Sequence, residues 1–135
     1  MFVYRRRVQF YETDAQGVVH HSNYFKYFEE ARGELFRHLG CPYSRLREGG
    51  FEVVLIYASC QFSKPIRYDE EFELGVGLVH IDRFSFSFDY RIVSLDILKA
   101  RGSTKHCVLK DGRIVSIPSE VKTKLTEFFL GPCKR

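Results

Sequence analysis

The chemistry-bearing residues of this chain are concentrated in residues 12–24, where one carboxylate and two histidines precede a helix-forming stretch. Asp14 ends an apolar run, and Gly17 separates it from His20 and His21. A helix N-terminus offers free backbone N–H groups and a partial positive charge, which together can hold an oxyanion. A carboxylate across the loop can activate water or attack an electrophile. The spacing therefore favours a reaction in which an anion develops at the helix start.

A plainer interpretation exists for each residue of this loop. Asp14 alone fits a turn aspartate, because Asp-x-x-Gly is common loop chemistry. It is the context of Gly17, the histidine pair and the helix start that favours a catalytic role. One histidine could orient Asp14 or a leaving group, whereas loop histidines usually cap or hydrogen-bond. Adjacent histidines rarely ligate one metal ion, and no third ligand completes a set, so we predict no metal site.

A second candidate site consists of basic residues. Lys99, Arg101 and Lys105 lie at even spacing on one face of a predicted strand, and Arg83 begins the preceding one. This pattern fits either a solvated strand face or a seat for the phosphates of a nucleotide-tailed substrate. The chain has no glycine-rich phosphate loop, so phosphate recognition would rest on side chains. It also has no G-x-S-x-G motif, so a Ser-His-Asp mechanism is not supported.

Composition bounds the class of protein. The 135 residues suit a single domain spanning 1–135, and 44% hydrophobic with 28% charged residues is ordinary globular composition. A net charge of +4 is too small to argue for nucleic acid. No apolar run approaches a membrane span, and Met1 is not followed by a signal-peptide pattern. Four widely spaced cysteines, Cys41, Cys60, Cys107 and Cys133, then predict reduced thiols in a cytoplasmic protein.

The periodicity predicts one long helix and several strands. Apolar residues recur at three- to four-residue spacing over residues 23–39, with Ser22 as a plausible N-cap and Gly40 as the stop. Strands are predicted at 4–11, 53–62, 72–78, 84–92, 99–109 and 114–117, and a weaker helix at 119–130 stopped by Gly131-Pro132. The apolar run 53–62 predicts a central, covered strand. The phenylalanines of 84–92 predict surplus apolar surface and hence dimerisation.

These elements predict an α+β fold in which about five antiparallel strands pack on one long helix. At this point the sequence is recognisable. Residues 10–32 (FYETDAQGVVHHSNYFKYFEEAR) closely resemble the opening of hotdog-fold acyl-CoA thioesterases of the 4-hydroxybenzoyl-CoA thioesterase and YbgC-like type. Residues 54–69, 104–108 and 117–118 resemble later parts of the same family more loosely.

The resemblance implies a hotdog fold, with a curved antiparallel sheet wrapped around the helix. It also implies a homodimer with a continuous sheet and active sites at the interface, or a tetramer of two such dimers. Asp14 matches the family's catalytic aspartate, as base or nucleophile. The backbone N–H of His21, after Gly17, matches the oxyanion donor, while the His21 side chain and Tyr24 match further motif positions. No metal or separate cofactor is implied.

The sequence departs from the YbgC-like pattern at Phe10 and His20, where those enzymes carry tyrosine. A hydroxyl that helps to position the aspartate or water would be absent here. The departures affect mechanistic detail and substrate range more than the fold.

The predicted function is hydrolysis of a short-chain or aromatic acyl-CoA to the free acid and CoA. Arg83, Lys99, Arg101 and Lys105 would meet the CoA phosphates. Two alternatives stay open. Asp14 with His21 could imitate an enoyl-CoA hydratase, and the chain could be a non-catalytic module that binds acyl-CoA or acyl carrier protein.

Overall fold

The computed structural model describes residues 1–130, so the predicted helix stop at 131–132 and Cys133 lie outside the described residues. The strands are β1 (Phe2–Arg7), β2 (Phe51–Phe62), β3 (Glu71–Ile81), β4 (Ser85–Ser94), β5 (Ile97–Lys110) and β6 (Arg113–Val115). The helices are α1 (Ser22–His38), α2 (Tyr43–Glu48) and α3 (Ser119–Thr126), and a 3₁₀ turn spans Phe10–Glu12.

The strands form one antiparallel sheet in the order β1-β3-β4-β5-β2, with β6 also paired to β5. Within the described part of the chain the sheet has six strands rather than the predicted five or so. The apolar face of α1 lies against this sheet. The predicted α+β layout, one long helix held by an antiparallel sheet, is thereby confirmed.

The core forms where α1 meets β4. Phe86, Phe88, Tyr90 and Ile92 alternate along β4, and all are buried. Phe28 of α1 stacks on Tyr90 with 4.3 Å between ring centroids. Gly102 lies opposite Tyr90 on β5, where a Cβ would stand 2.3 Å from the Phe28 ring, so a larger residue would push the helix off the sheet.

The strand β2 is not the central, covered strand that its apolar run predicted. It is the edge of the sheet beside β5, and Leu55, Ile56 and Tyr57 are each more than half exposed. A continuous apolar run shows that both faces of a strand avoid water, but not which element covers them. The surplus apolar surface therefore lies on β2, and not on the phenylalanine-rich strand.

The remaining differences lie at element ends. The first strand stops at Arg7 and gives way to the 3₁₀ turn, and the short helix α2 was not predicted. The last helix ends at Thr126, because Phe128 and Leu130 instead exchange backbone hydrogen bonds with Leu78 of β3. These bonds satisfy the edge of β3 beyond the end of β1.

Candidate active site

The loop between the 3₁₀ turn and α1 is a small hairpin-like structure. Thr13 and Val19 form an antiparallel bridge, and the Asp14 N–H donates to the Val18 carbonyl at 2.9 Å. The turn closes where the Gly17 N–H donates to the Asp14 carbonyl at 3.0 Å. Gly17 has φ of 76°, a left-handed conformation that favours glycine. The sequence thus folds Asp14 back towards the start of the helix.

A neighbouring segment of chain fixes this loop in place. The Val19 N–H donates to the Ile66 carbonyl at 2.8 Å, and the Tyr68 N–H donates to the Gly17 carbonyl at 3.3 Å. Ile66 is fully buried. The loop is therefore attached to the core on the side away from α1 as well as through the helix itself.

Only one oxygen of the Asp14 carboxylate is engaged. Its Oδ1 accepts the Gln16 backbone N–H at 2.8 Å, which is an Asx-turn, and the side chain is half-buried. Within residues 1–130, Oδ2 has no hydrogen-bond partner. The turn role and the catalytic role are thus compatible, because the turn orients one oxygen and leaves the other available.

The start of α1 presents an unused backbone donor. His21 is the residue that precedes the helix, and no described residue accepts its N–H. The next N–H, of Ser22, donates to His20 Nδ1 at 3.2 Å, and that nitrogen also lies 2.8 Å from the Ser22 hydroxyl. The predicted Ser22 N-cap is therefore wrong, since Ser22 is the first helical residue and the His20 imidazole supplies the capping contact.

The His21 side chain is exposed and its ring lies on that of His20, with 4.1 Å between centroids. No hydrogen bond joins it to Asp14 or to another residue within the described chain. Catalytic roles for the His21 backbone N–H and for its imidazole both stay predictions.

Tyr24 lies inside the fold. Its ring contacts Phe62 at 4.8 Å and Tyr27 at 6.2 Å between centroids, and only 3% of the residue is exposed. Burial, together with the neighbouring Cys60 and Glu70, raises the pKa of Tyr24 to about 12. The phenol is therefore neutral at physiological pH, so any catalytic part would be that of a neutral hydroxyl.

Two residues that hold the loop, Glu12 and Asn23, were missed from the sequence. The buried Asn23 amide donates to the Glu12 carbonyl at 2.8 Å, as does the His20 N–H at 2.9 Å. The Glu12 carboxylate is itself buried and accepts from Arg6 Nη1 at 2.6 Å and from the Gln9 N–H at 2.7 Å. A glutamate at the end of an otherwise apolar run was the available signal.

Lys99 does not belong to the predicted basic face. β5 has a bulge opposite Val93, which breaks the alternation at Lys99. The Lys99 ammonium is buried, lies 3.4 Å from a Glu70 carboxylate oxygen and donates to the Pro65 carbonyl at 3.1 Å. It anchors the segment behind the Asp14 loop, and binding a phosphate would require breaking this pair. We therefore leave Lys99 out of the proposed site.

The other three basic residues do not form one cluster by direct contact. Arg101 is exposed and lies opposite Arg91, while Lys105 lies between Ser87 and Tyr57 in the sheet register. Arg83 is in the turn before β4, where its Nε donates to the Ser116 hydroxyl at 3.0 Å. Their role in binding phosphate stays a prediction.

Residues 1–130 contain neither a candidate metal site nor a helix that could span a membrane. No three His, Cys, Asp or Glu side chains cluster as ligands would. No helix in the same range combines the length and apolar character that a bilayer crossing needs.

An antiparallel sheet around one long helix, with a carboxylate loop at the helix start, defines the hotdog class of proteins. Residues 8–125 match the family model described as the thioesterase-like superfamily, and the chain belongs to that family. This confirms the predicted fold and family.

Similar proteins of known structure or name agree. A crystal structure of a hypothetical protein from Aquifex aeolicus is 58% identical, with a TM-score of 0.91 over 93% of this chain and 99% of that one. The structure of the BH1999 gentisyl-coenzyme A thioesterase is 27% identical, with a TM-score of 0.84 over 92% and 98% of the two chains. The acyl-CoA thioester hydrolase YbgC of Escherichia coli is 29% identical over 71% of this chain and 72% of that protein. These findings confirm the predicted enzyme class, a thioester hydrolase.

Proposed function

We propose that this hydrolase cleaves acyl-CoA thioesters, with Asp14 as the catalytic carboxylate and the His21 backbone N–H as the oxyanion donor. The observation that carries the proposal is the pairing of a half-engaged carboxylate with an unused amide at a helix start. Named relatives that act on acyl-CoA or gentisyl-CoA support the substrate class.

The reaction follows from this geometry. With the thioester oxygen on the His21 N–H, Asp14 Oδ2 takes a proton from water as the water oxygen attacks the carbonyl carbon. The tetrahedral oxyanion is held by the amide and by the partial positive charge of α1. Its collapse breaks the C–S bond, and the proton on Asp14 passes to the departing sulfur, which gives the free acid and CoA. Direct attack by Asp14, through an acyl anhydride that water then hydrolyses, uses the same two groups.

The helix start and the base are expected to contribute by similar amounts, since a tenfold change in rate corresponds to about 1.4 kcal/mol. One oxyanion donor typically contributes about 3 kcal/mol to transition-state stabilisation. A positioned general base typically contributes about 10²–10⁴ in rate.

Of the predicted residues, Arg83, Arg101 and Lys105 remain candidates for the CoA phosphates, and His21 and Tyr24 for supporting side-chain roles. The proposed acyl group is short-chain or aromatic.

A homodimer is part of the proposal, because the apolar edge of the sheet suits a second copy of the chain. Within residues 1–130, β2 has no strand on its outer side, and the apolar side chains of Leu55, Ile56 and Tyr57 are exposed at an irregularity of this strand. An edge of this kind is normally covered. A second β2 in antiparallel pairing would continue the sheet.

Light scattering after size exclusion tests the dimer. We expect the wild type to elute as a dimer or a tetramer, and Ile56→Lys to reduce its mass. Ile114→Lys is the matched control, since Ile114 is equally exposed but lies on β6. A monomeric wild type, or equal masses for all three proteins, would contradict the interface.

The function is tested by thiol release from short-chain, long-chain, aromatic and α,β-unsaturated acyl-CoAs, with a protein-only blank for the native cysteines. Free thiol and free acid in equal amounts are expected. Loss of enoyl absorbance without thiol would identify a hydratase. Tight binding of acyl-CoA without turnover would identify a binding module and reject hydrolysis.

Two further parts of the proposal are the carrier and the compartment. An acyl carrier protein thioester, tested beside its CoA counterpart, would show which carrier the enzyme prefers. The described cysteines Cys41, Cys60 and Cys107 are unpaired thiols, which supports a reducing, cytoplasmic setting.

A further inference from the structure

A cavity of about 440 Å³ lies along the middle of α1, between that helix, α2 and the first half of β2. About half of its wall is apolar, and this part includes Leu46, Phe51 and Val54. Two side chains with quite different chemistry, Arg32 and His106, also line it. The catalytic loop described above does not include any of these residues.

Arg32 is an unusual residue for such a wall. It is 8% exposed, yet no carboxylate of the described chain lies within ion-pair distance of its guanidinium. Its Nη1 donates to the Tyr90 hydroxyl at 3.1 Å, the Tyr43 hydroxyl is a second polar neighbour, and its Nε has no acceptor within residues 1–130. Buried arginines are normally paired, so this site has a positive charge in excess of its partners.

The polar groups next to Arg32 cannot neutralise it. Because arginine only donates, Tyr90 accepts from it and donates to the Thr104 hydroxyl, 2.6 Å away. Thr104 then donates to His106 Nε2 at 2.8 Å, and the other ring nitrogen bonds to the Val54 carbonyl. Burial, and then the positive charge of Arg32, lowers the pKa of His106 to about 3. The whole chain of groups is therefore neutral apart from Arg32.

The nearest candidate counter-charge on the helix is Glu29, one turn earlier. It also lines the cavity, but it is exposed at the rim and forms no ion pair with Arg32 in the described structure. Glu52 and Arg47 lie on the same rim and are likewise exposed. The cavity therefore combines a partly apolar wall with one buried positive charge.

The position of the cavity relates it to the reaction centre. Arg32 lies about three turns, or roughly 16 Å, along α1 from His21. Long side chains on a helix lean back towards its N-terminus, which shortens the gap. An acyl group whose carbonyl sits at the helix start and whose chain follows α1 would thus point its far end at Arg32.

We propose that this cavity receives the far end of the acyl group, and that Arg32 selects acyl groups that end in a carboxylate. The inference rests on the proposed thioesterase function and refines its substrate class. A carboxylate would supply the missing acceptor and the missing negative charge together, since guanidinium and carboxylate match in shape and charge. Acyl groups too short to reach Arg32 gain nothing from it.

The test compares kcat/KM for adipoyl- and suberoyl-CoA with hexanoyl- and octanoyl-CoA of equal chain length. We expect the ratio of carboxyl-ended to methyl-ended substrate to fall at least about tenfold in Arg32→Met. Arg32→Lys, which keeps the charge without the planar fork, should restore part of the ratio. Arg37→Met is the matched control, because Arg37 is exposed on the same helix and pairs with Glu34. A ratio unchanged in Arg32→Met would overturn the inference.

Direct binding separates this inference from the proposed function. Calorimetric titration with suberic acid monoamide and with octanamide needs no turnover, and the two compounds differ only in the far-end carboxylate. Tighter binding of the monoamide by the wild type, lost in Arg32→Met of unchanged circular dichroism, supports the site even if no acyl-CoA is hydrolysed. Equal binding of both compounds by the wild type contradicts it, even if hydrolysis occurs.

Discussion

A buried charged side chain lies at the start of α1 and another in its middle, but within the described residues only the first has an oppositely charged partner. At the start, the buried Glu12 carboxylate is paired with Arg6, its Oε1 accepts from Arg6 Nη1 and from the Gln9 N–H, and it supports an exposed loop. In the middle, the buried Arg32 has hydroxyl neighbours and no carboxylate. The first arrangement stabilises the fold. The second leaves the Arg32 guanidinium without an acceptor at Nε and without a counter-charge in the described structure. Under the proposed function, the first arrangement would hold the catalytic loop and the second would be available to a ligand.

The largest stability effect is expected at the start of the helix. Glu12→Gln removes a charge that Arg6 and the loop depend on, and it should lower the free energy of unfolding by about 3 kcal/mol. Urea unfolding measures this. Glu73→Gln is the control, because its pair with Arg5 is largely exposed and contributes at most about 1 kcal/mol. Equal losses of unfolding free energy in the two variants would contradict the expectation that the buried ion pair contributes more to stability than the exposed one.

A substitution in the middle of the helix is expected to raise the free energy of unfolding. Arg32→Met replaces an uncompensated buried charge with an apolar side chain of similar length, so the free energy of unfolding should rise by about 1–2 kcal/mol. Such a gain would be typical of functional residues that are retained at the expense of stability. Thermal unfolding without ligand gives the answer. A clear loss of stability would mean that Arg32 is a structural residue and that the comparison fails.

The pH dependence of stability tests whether the buried His106 imidazole is neutral in the fold. The pKa of His106 is lowered to about 3 in the fold, against an unfolded value near 6.5, so the unfolded chain binds the extra proton between these limits. The contribution of neutral His106 to the free energy of unfolding should therefore be fully present above about pH 6.5. Below that pH, the free energy of unfolding should fall by up to about 1.4 kcal/mol per pH unit. His106→Asn should flatten this slope. A slope unaffected by His106→Asn would contradict a neutral buried imidazole.

Much of the scaffold was readable from local patterns. The apolar stripe of α1 and the alternation of β4 each have a single period, and each element was found within a few residues of its bounds. Asp111 and Gly112 adopt the left-handed turn that their sequence predicts between β5 and β6. The motif around Asp14 placed the loop and helix start correctly.

What the sequence concealed depends on contacts between distant segments. The apolar run of β2 has the same pattern whether the strand is central or at an edge. The bulge that buries Lys99 arises only in pairing with β4. The sequence does show that Arg32 interrupts the apolar stripe between Phe28 and Leu35. Only the fold shows that it is buried with no carboxylate of residues 1–130 within ion-pair distance.

The central claim, that the Asp14 carboxylate performs the hydrolysis, is tested most directly by the rate of thiol release in a single turnover of Asp14→Asn. Asparagine keeps the side-chain oxygen that accepts the Gln16 N–H, so the turn survives while the base is lost. Asp111→Asn, in the turn between β5 and β6, controls for a general effect on loops.

We predict that Asp14→Asn slows release by about 10²–10⁴ with its fold intact, while Asp111→Asn matches the wild type. A rate for Asp14→Asn close to that of the wild type would contradict the account, because it would leave Asp14 with the role of a turn residue only.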